Sequence, residues 1–335
     1  MKLFLAYESS LNVIRYLRAI GDGTLEGTVL RQRTLRDALT KSAQLDELDT
    51  TAQRILEHAG EKVHAFVPRR ESVTKTSRLV THLLSGTVPT GSFVDIGHDI
   101  CVSAPAFLFM QLATKLDEIE LIKIGLELCG HFSLWRLPPT TEQEQRAFAS
   151  EHTENRGATF KLQQATSVSK IQRYVERCEG RRGAAKARTA LHWVLNESAS
   201  PMESAIYLLL CLPRSKGGYG LPQPMLNPKV TVSVAGSKTD RFPDLFWSSH
   251  NIDVEYNSDE EHGDNWSRYR DARREVQLTT NQINVLPLTR IQVMDAEIFH
   301  EFADGLRKML GRRTRPLRGD WRFRRAELRK AVLFS

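Results

Sequence analysis

Alternating apolar and polar positions late in the chain predict a β-hairpin. Residues 241–247 and 252–257 are rich in aromatic and β-branched types, and residues 248–251 between them have the composition of a turn. A four-residue loop of this kind allows Trp247 to pair with Ile252. That pairing fixes the register of the whole hairpin, because side chains alternate between the two faces of a strand.

In this register two carboxylates face each other, Asp244 on the first strand and Glu255 on the second. Directly opposed residues have Cβ atoms about 4.5 to 5.5 Å apart, where like charges repel unless a cation or a proton intervenes. Hard oxygen ligands at that spacing suit Mg²⁺. Asp253, Glu255 and Asn257 share one strand face, and a strand with one solvated face explains this alternation equally well.

Further elements are predicted on both sides of the hairpin. Ser-Pro-Met-Glu at 200–203 opens an apolar run and matches a helix N-terminus with a capping box, in which Glu203 closes the first turn. Alternating valines at 230–234 predict a strand. Helical spacing predicts a helix over about 266–280, and an apolar run predicts a buried strand over 283–288. The predicted order is helix, three strands, helix, strand.

The first half of the chain has weaker patterns. Residues 53–60 and 104–136 have helical character with a strongly apolar centre, and residues 63–67 alternate as a strand does. Residues 1–60 contain no pattern typical of a DNA-recognition helix. A mainly helical α+β domain is therefore expected here.

Length and composition fit two domains. The chain has 335 residues, of which 41% are hydrophobic and 26% charged, enough for two cores of ordinary size. A polar stretch predicts a linker over 138–164, so the predicted domains are 1–137 and 165–335.

Cysteine spacing and hydropathy exclude several classes of protein. No apolar run approaches the roughly 18 residues of a membrane helix, and no secretory signal pattern opens the chain, so a cytoplasmic protein is expected. The four cysteines contain no CxxC spacing, which favours buried free thiols over a zinc site or a disulfide scaffold. They are Cys101, Cys129, Cys178 and Cys211.

Positive charge is concentrated at the C-terminus. The net charge is +7, and residues 305–335 contain eleven basic residues against only Asp320 and Glu327. Interleaved Trp321 and Phe323 make this segment typical of a nucleic-acid contact, although a solvated charged tail has the same composition. The predicted phosphate-binding residues are Arg312, Arg313, Arg315, Arg318, Arg322, Arg324 and Arg325, with Arg181 and Arg182 from a smaller basic cluster.

Several short motifs follow one another in the C-terminal half of the chain. They are Ser-Pro-Met-Glu-Ser at 200–204, Leu-Pro-Gln-Pro at 221–224, Pro-Asp at 243–244, Val-Glu-Tyr-Asn at 254–257, His262 and Asp-Ala-Arg-Arg at 271–274. Taken in this order, they resemble the PD-(D/E)XK nuclease superfamily, and within it the very short patch repair endonuclease-like proteins. The resemblance covers roughly residues 165–335.

This resemblance implies an α/β fold with a restriction-endonuclease-like αβββαβ core and a mixed sheet. It further implies hydrolysis of DNA phosphodiesters with Mg²⁺ or Mn²⁺, in DNA repair or phage defence. Glu203, Asp244 and Glu255 would be the metal-site acids, with Asn257 and His262 beside the scissile phosphate.

One position departs from the family pattern. Asn257 stands where the superfamily often has lysine and nearer relatives have aspartate, and asparagine supplies neither charge. A catalytically impaired, nucleic-acid-binding regulator therefore remains an alternative to an active endonuclease.

A second resemblance concerns residues 62–115, which are similar to proteins that pair an AbiEi-type antitoxin-like segment with such an endonuclease domain. It rests on Val-His-Ala-Phe-Val-Pro at 63–68, Thr-His-Leu at 81–83, Ile-Cys-Val-Ser-Ala-Pro-Ala at 100–106 and Leu-Ala at 112–113. It implies a toxin or another defence-system protein as a partner besides DNA.

Overall fold

The protein is a mixed α/β chain that divides into two compact units. The computed structural model describes residues 2–21, 25, 27–31, 35, 45–135, 157–234, 237–257, 281–313 and 319–333. The first unit lies within residues 1–138 and 158–194, and the second contains residues 195–335. No described helix is long and apolar enough to cross a membrane. All four cysteines are free and buried, as predicted.

The first unit is built on a six-stranded mixed sheet of order β2-β5-β6-β1-β3-β4. Its strands are β1 (Leu3–Leu5), β2 (Thr28–Val29), β3 (Val63–Val67), β4 (Leu79–Leu83), β5 (Phe93–Asp95) and β6 (Ile100–Ser103), with a separate pair β7 (Phe132–Ser133) and β8 (Thr159–Phe160). Its helices are α1 (Tyr7–Ile20), α2 (Thr50–Glu57), α3 (Pro105–Leu112), α4 (Glu118–Leu128), α5 (Val168–Arg177) and α6 (Ala184–Leu191).

The expectation of a mainly helical α+β domain agrees with the six helices described in this unit, but its six-stranded sheet was predicted at only one strand. Every residue of β1 and β6 is buried, so the centre of the sheet is covered on both faces. Strands of three or four buried residues have too few positions to show an alternation, and periodicity does not reveal them. The strand predicted at 63–67 is confirmed as β3.

The boundary between the two units lies later in the sequence than the predicted linker. Helix α5 packs on α3, and α6 packs on both α4 and α5, so residues 168–191 belong to the first unit. Strand β8, within the predicted linker, pairs with β7. These helices are amphipathic and bury their apolar faces against the first unit. The polar composition from which the linker was predicted does not show to which unit the helices after it belong.

Two histidines on neighbouring strands of the first unit give a pH-dependent prediction. His64 Nδ1 lies 2.9 Å from His82 Nε2. Burial first, then the charges of Lys115 and His64, lower the pKa of His82 from 6.5 to about 4. The unfolded chain therefore binds this proton more readily, so stability should fall as the pH drops from about 6.5 towards 4.

For a half-buried group the expected loss of unfolding free energy is about 2 kcal/mol across that window. Urea unfolding at pH 7 and pH 4.5 measures it. His82→Gln should lose most of this pH dependence, while His98→Gln, at an exposed site, should retain it. Equal slopes in the wild type and His82→Gln would contradict the prediction.

The second unit is built on a four-stranded sheet of order β14-β13-β12-β9 with a separate ribbon, β10-β11. Its strands are β9 (Met225–Leu226), β10 (Val230–Val234), β11 (Ser237–Arg241), β12 (Leu245–Trp247), β13 (Ile252–Asn257) and β14 (Asn284–Thr289). Its helices are α7 (Pro201–Cys211), α8 (Arg290–Met294), α9 (Ala296–Met309) and α10 (Trp321–Leu333).

The predicted strands exist, but the first strand of the hairpin is shorter than predicted: β12 begins at Leu245, so Asp244 precedes it, and Arg241 ends β11 instead. The valine strand is β10, which pairs with β11 and not with the hairpin, and the first strand of the four-stranded sheet is the two-residue β9. Strands β9, β12 and β13 are antiparallel neighbours, and β14 is parallel to β13, so the sheet is mixed. Parallel neighbours need a crossover connection. The helix predicted over 266–280 for that connection lies outside the described residues.

Candidate functional site

The hairpin of the second unit has the predicted register. Trp247 pairs with Ile252 at the loop end, and the ladder continues for two more pairs. Asp244 and Glu255 are the next residues beyond the last pair of this ladder, and Asp244 lies just before the start of β12. Asp244 Oδ2 also accepts a hydrogen bond of 2.8 Å from the backbone N–H of Tyr256, which ties this acid to the neighbouring strand.

Asn227 is a site residue that the sequence analysis missed. Leu226 pairs with Leu245, so Asn227 lies beside Asp244 and donates its backbone N–H to that residue's carbonyl oxygen at 3.1 Å. Its φ of +45° is a conformation that asparagine adopts more readily than most residues. Asn227 Nδ2 donates to Glu203 Oε2 at 2.6 Å. Asn227 therefore links an acid on α7 to an acid of the hairpin.

Glu203 closes the N-terminus of α7 and contacts the sheet as well. The helix begins at Pro201 because Ser200 Oγ accepts the backbone N–H of Glu203 at 3.1 Å. Glu203 Oε2 in turn accepts the N–H of Ala199 at 2.9 Å, one residue earlier than a regular capping box requires. The carboxylate is buried, only 7% exposed. The Ser200 N-cap is thus confirmed, while the Glu203 side chain bonds to Ala199 rather than to the N-cap residue of a regular capping box, and the contact with Asn227 adds a second role.

The polar face of β13 changes from buried to exposed along the strand. Asp253 is 0% exposed and pairs with Phe246 on one side and Val285 on the other. Glu255 is half-buried, and Asn257 at the strand end is exposed. A uniformly solvated face is therefore the wrong interpretation of this alternation. Phe246, the partner of Asp253 on β12, belongs to a core cluster with buried Val232 and Ile283 and partly buried Val230 and Val285.

The donor atoms at the site have the chemistry that Mg²⁺ prefers. Asp244 and Glu255 offer carboxylate oxygens just beyond the end of the hairpin ladder, and Asn227 and Glu203 add an amide and a third carboxylate linked to the backbone of Asp244. Within the described part of the chain, no three His, Cys, Asp or Glu side chains stand close enough together to hold one ion. The described residues therefore provide acids on neighbouring elements but no cluster of three, and His262 lies outside the described residues.

The predicted phosphate-binding arginines of the C-terminal segment have different surroundings. Arg312, Arg313 and Arg322 are exposed, and Arg324 pairs with Asp320 at 2.6 Å. Arg325 is buried. Arg315 and Arg318 lie outside the described residues.

Arg325 and Trp321 serve the interior of the second unit. Arg325 Nη2 pairs with Glu297 Oε1 at 2.6 Å, its Nη1 donates to the Tyr219 hydroxyl at 3.3 Å, and the side chain packs over the Trp321 ring. Arg325 is 7% exposed and Trp321 3%. Both are thus corrections to the predicted nucleic-acid contact, because a buried charge and a buried ring cannot meet a phosphate or stack on a base. Phe323, by contrast, is exposed.

Replacing Asn227 by alanine tests the link between the acids. Asn227→Ala removes the side-chain donor to Glu203 but keeps the backbone bond to Asp244. Loss of such a supporting hydrogen bond typically costs 10- to 100-fold in activity or metal affinity. For the metal-dependent DNA cleavage that the resemblance of the sequence implies, we expect a rate lower by that factor.

Asn196→Ala would change another amide side chain, but Asn281→Ala is the better control. It removes the hydrogen bonds between the Asn281 side chain and the backbone of Ser233 on the β10-β11 ribbon. That variant should cleave at close to the wild-type rate. If both variants lose activity equally, the link between Asn227 and Glu203 has no special role.

Comparison with known proteins adds no assignment: no protein-family model, no curated protein and no solved structure matches this chain.

Proposed function

We propose that the second unit is a PD-(D/E)XK-like endonuclease domain that hydrolyses phosphodiester bonds of DNA with Mg²⁺ or Mn²⁺. The observation that carries the proposal is the pair of hydrogen bonds that Asn227 donates, from its side chain to the Glu203 carboxylate and from its backbone to the carbonyl of Asp244. Asp244 and Glu255 follow directly on the last pair of the β12-β13 ladder, and Glu203 comes from a separate element, α7. Acids contributed by a helix and a hairpin are what the resemblance of the sequence implies for a metal site.

The chain's own residues supply the anchoring and the charge of this site. Asp244 and Glu255 would hold the cation, and the bond from Tyr256 N–H fixes the orientation of the Asp244 carboxylate. When bound, the metal supplies charge screening at the phosphate and orients a water for attack. Exposed Arg312, Arg313 and Arg322 of the same unit provide positive charge for the DNA backbone.

A second candidate function is a nucleic-acid-binding regulator without cleavage, antitoxin-like, with a toxin or defence-system protein as partner. Asn257 at the end of β13 favours it, because asparagine adds neither the positive charge of lysine nor a further anionic ligand. The capping role of Glu203 favours it too, since that role explains the carboxylate without a metal.

Cleavage and binding assays on the full chain separate the two functions. Supercoiled plasmid and a mismatched duplex are incubated with Mg²⁺, with Mn²⁺ and with chelator. Nicking that requires the metal supports the endonuclease. A mobility shift of the same DNA in chelator, with no cleavage under either metal, supports the regulator, and no effect in any assay removes both.

A further inference from the structure

The first unit contains a cavity that the proposed nuclease site does not use. It has a volume of about 500 Å³ and lies among α1, α3 and the residues that follow β4. Phe66, Val88, Phe107 and Met110 form a buried apolar wall. The volume falls within the range of pockets that hold small molecules, about 300 to 1,000 Å³.

The charged residues of this cavity have one sign. Arg181 and Arg182 line it, and none of the described residues that line it is acidic. Arg181 donates to the backbone carbonyl of Thr87, which holds it at the rim. Arg182 is exposed and forms no ion pair with any described residue. Arginine binds phosphate and carboxylate groups through two parallel hydrogen bonds, so this rim favours an anion.

Tyr7 is held at the cavity by a strained backbone. Its φ is +49°, which is a rare conformation for a bulky residue. Gln111 Oε1 accepts the N–H of Tyr7 at 3.1 Å, and Gln111 Nε2 donates to Ser103 Oγ at 2.8 Å. Ser103 Oγ donates to the carbonyl of Leu5 at 2.9 Å. A strained backbone conformation persists only where contacts with the surrounding structure hold it in place, and such conformations are concentrated at ligand sites.

The Tyr7 side chain contributes a neutral donor. Burial raises the pKa of its phenol, so the hydroxyl remains protonated at neutral pH. Lys115 lies over the ring at 3.9 Å, but it pairs with Glu8 at 3.3 Å, which offsets its charge. The donors that line the cavity are therefore the two arginines and the hydroxyls of Tyr7, Ser85 and Thr114, and the Tyr7 hydroxyl also contacts Thr114.

We propose that this cavity binds an aromatic phosphate of mononucleotide size, with the phosphate against Arg182 and Arg181 and the flat ring against Phe66, Phe107 and Met110. Tyr7 donates a hydrogen bond to the ligand. The proposal is independent of the nuclease site, because every residue that carries it belongs to the first unit.

Isothermal titration calorimetry of the full chain with the four 5′-mononucleotides of DNA tests the proposal. At least one nucleotide should bind with a stoichiometry of one, its nucleoside at least 10-fold more weakly, and inorganic phosphate should compete. Arg182→Gln should weaken the nucleotide 10- to 100-fold, and Tyr7→Phe about 3- to 10-fold. Arg182 is exposed, so an unchanged melting temperature confirms that the variant folds.

Arg173→Gln is the matched control, since it removes the same charge beside a second cavity of this unit. It should leave the affinity unchanged. No nucleotide binding at millimolar concentration overturns the proposal, as does binding that Arg173→Gln weakens and Arg182→Gln does not. Binding of a DNA oligonucleotide alone, weakened by Arg182→Gln, also overturns it and assigns the rim to nucleic acid.

Discussion

Asp244→Asn and Glu255→Gln should each lower the rate of metal-dependent DNA cleavage about a thousand-fold. Each variant removes one of the two negative charges proposed to hold the cation while keeping the size of the side chain. A bound cation contributes several kcal/mol of charge stabilisation, and each 1.36 kcal/mol corresponds to a tenfold change in rate. The amide at position 244 still offers an oxygen to the N–H of Tyr256, so the hairpin should keep its register.

Two measurements separate loss of the site from loss of the fold. Plasmid nicking under saturating Mn²⁺ gives the rate, and Mn²⁺ titration followed by electron paramagnetic resonance gives the affinity for the ion. Glu301→Gln, on an exposed position of α9, is the matched control and should match the wild type in both. If Asp244→Asn and Glu255→Gln cleave and bind Mn²⁺ as the wild type does, these acids are not the metal site.

Local sequence was sufficient to predict the hairpin that carries these acids. The turn composition of residues 248–251 and the flanking alternation fix the register from within sixteen or so residues, and the pairing of Trp247 with Ile252 follows. The N-terminus of α7 was equally predictable, because the N-cap serine and first-turn proline act on their immediate neighbours.

Asn227 could not be found in this way, because its role depends on partners far along the chain. It follows a strand of only two residues, and its contacts are with Glu203 and with the backbone of Asp244. The one local signal was the Asn-Pro pair at 227–228, which marks a turn and not a site. Pairing of β10 with β11 was missed for a related reason, since alternation predicts a strand and not its neighbour.

The basic C-terminal segment shows the same limit for charge. Its composition is that of a phosphate-binding surface, yet Arg325 pairs with Glu297, twenty-eight residues earlier, and contacts Tyr219. A run of arginines indicates which segment of the sequence carries positive charge. The acids and carbonyls that pair with these arginines inside a unit lie elsewhere in the sequence, so the run alone does not reveal which arginines are buried. Exposed Arg312, Arg313 and Arg322 remain available for the proposed contact with DNA.

A second large effect is expected at Arg18, which is 0% exposed in the first unit. Arg18 Nη1 donates to the carbonyl of Phe132 at 3.1 Å, and its Nη2 donates to the carbonyls of Gly130 and Gln163 at 3.1 and 2.8 Å. These bonds supply donors to buried backbone carbonyls, two of which belong to the segment that follows the C-terminal end of α4. Burial lowers the pKa of this guanidinium, and the nearby Glu127 carboxylate partly offsets that shift.

Arg18→Met should therefore lower the free energy of unfolding by about 3 to 5 kcal/mol, because it leaves buried carbonyls without donors and Glu127 with one cation fewer. Arg15, which pairs with Glu127 at 2.6 Å, retains part of the compensation. Urea unfolding gives the loss, and hydrogen exchange should show it first in α1 and α4. Arg54→Met, on an exposed position of α2, should stay within about 0.5 kcal/mol of the wild type. Equal stability of the two variants would mean that these carbonyls find other donors, and Arg18 would then not hold α1 to α4.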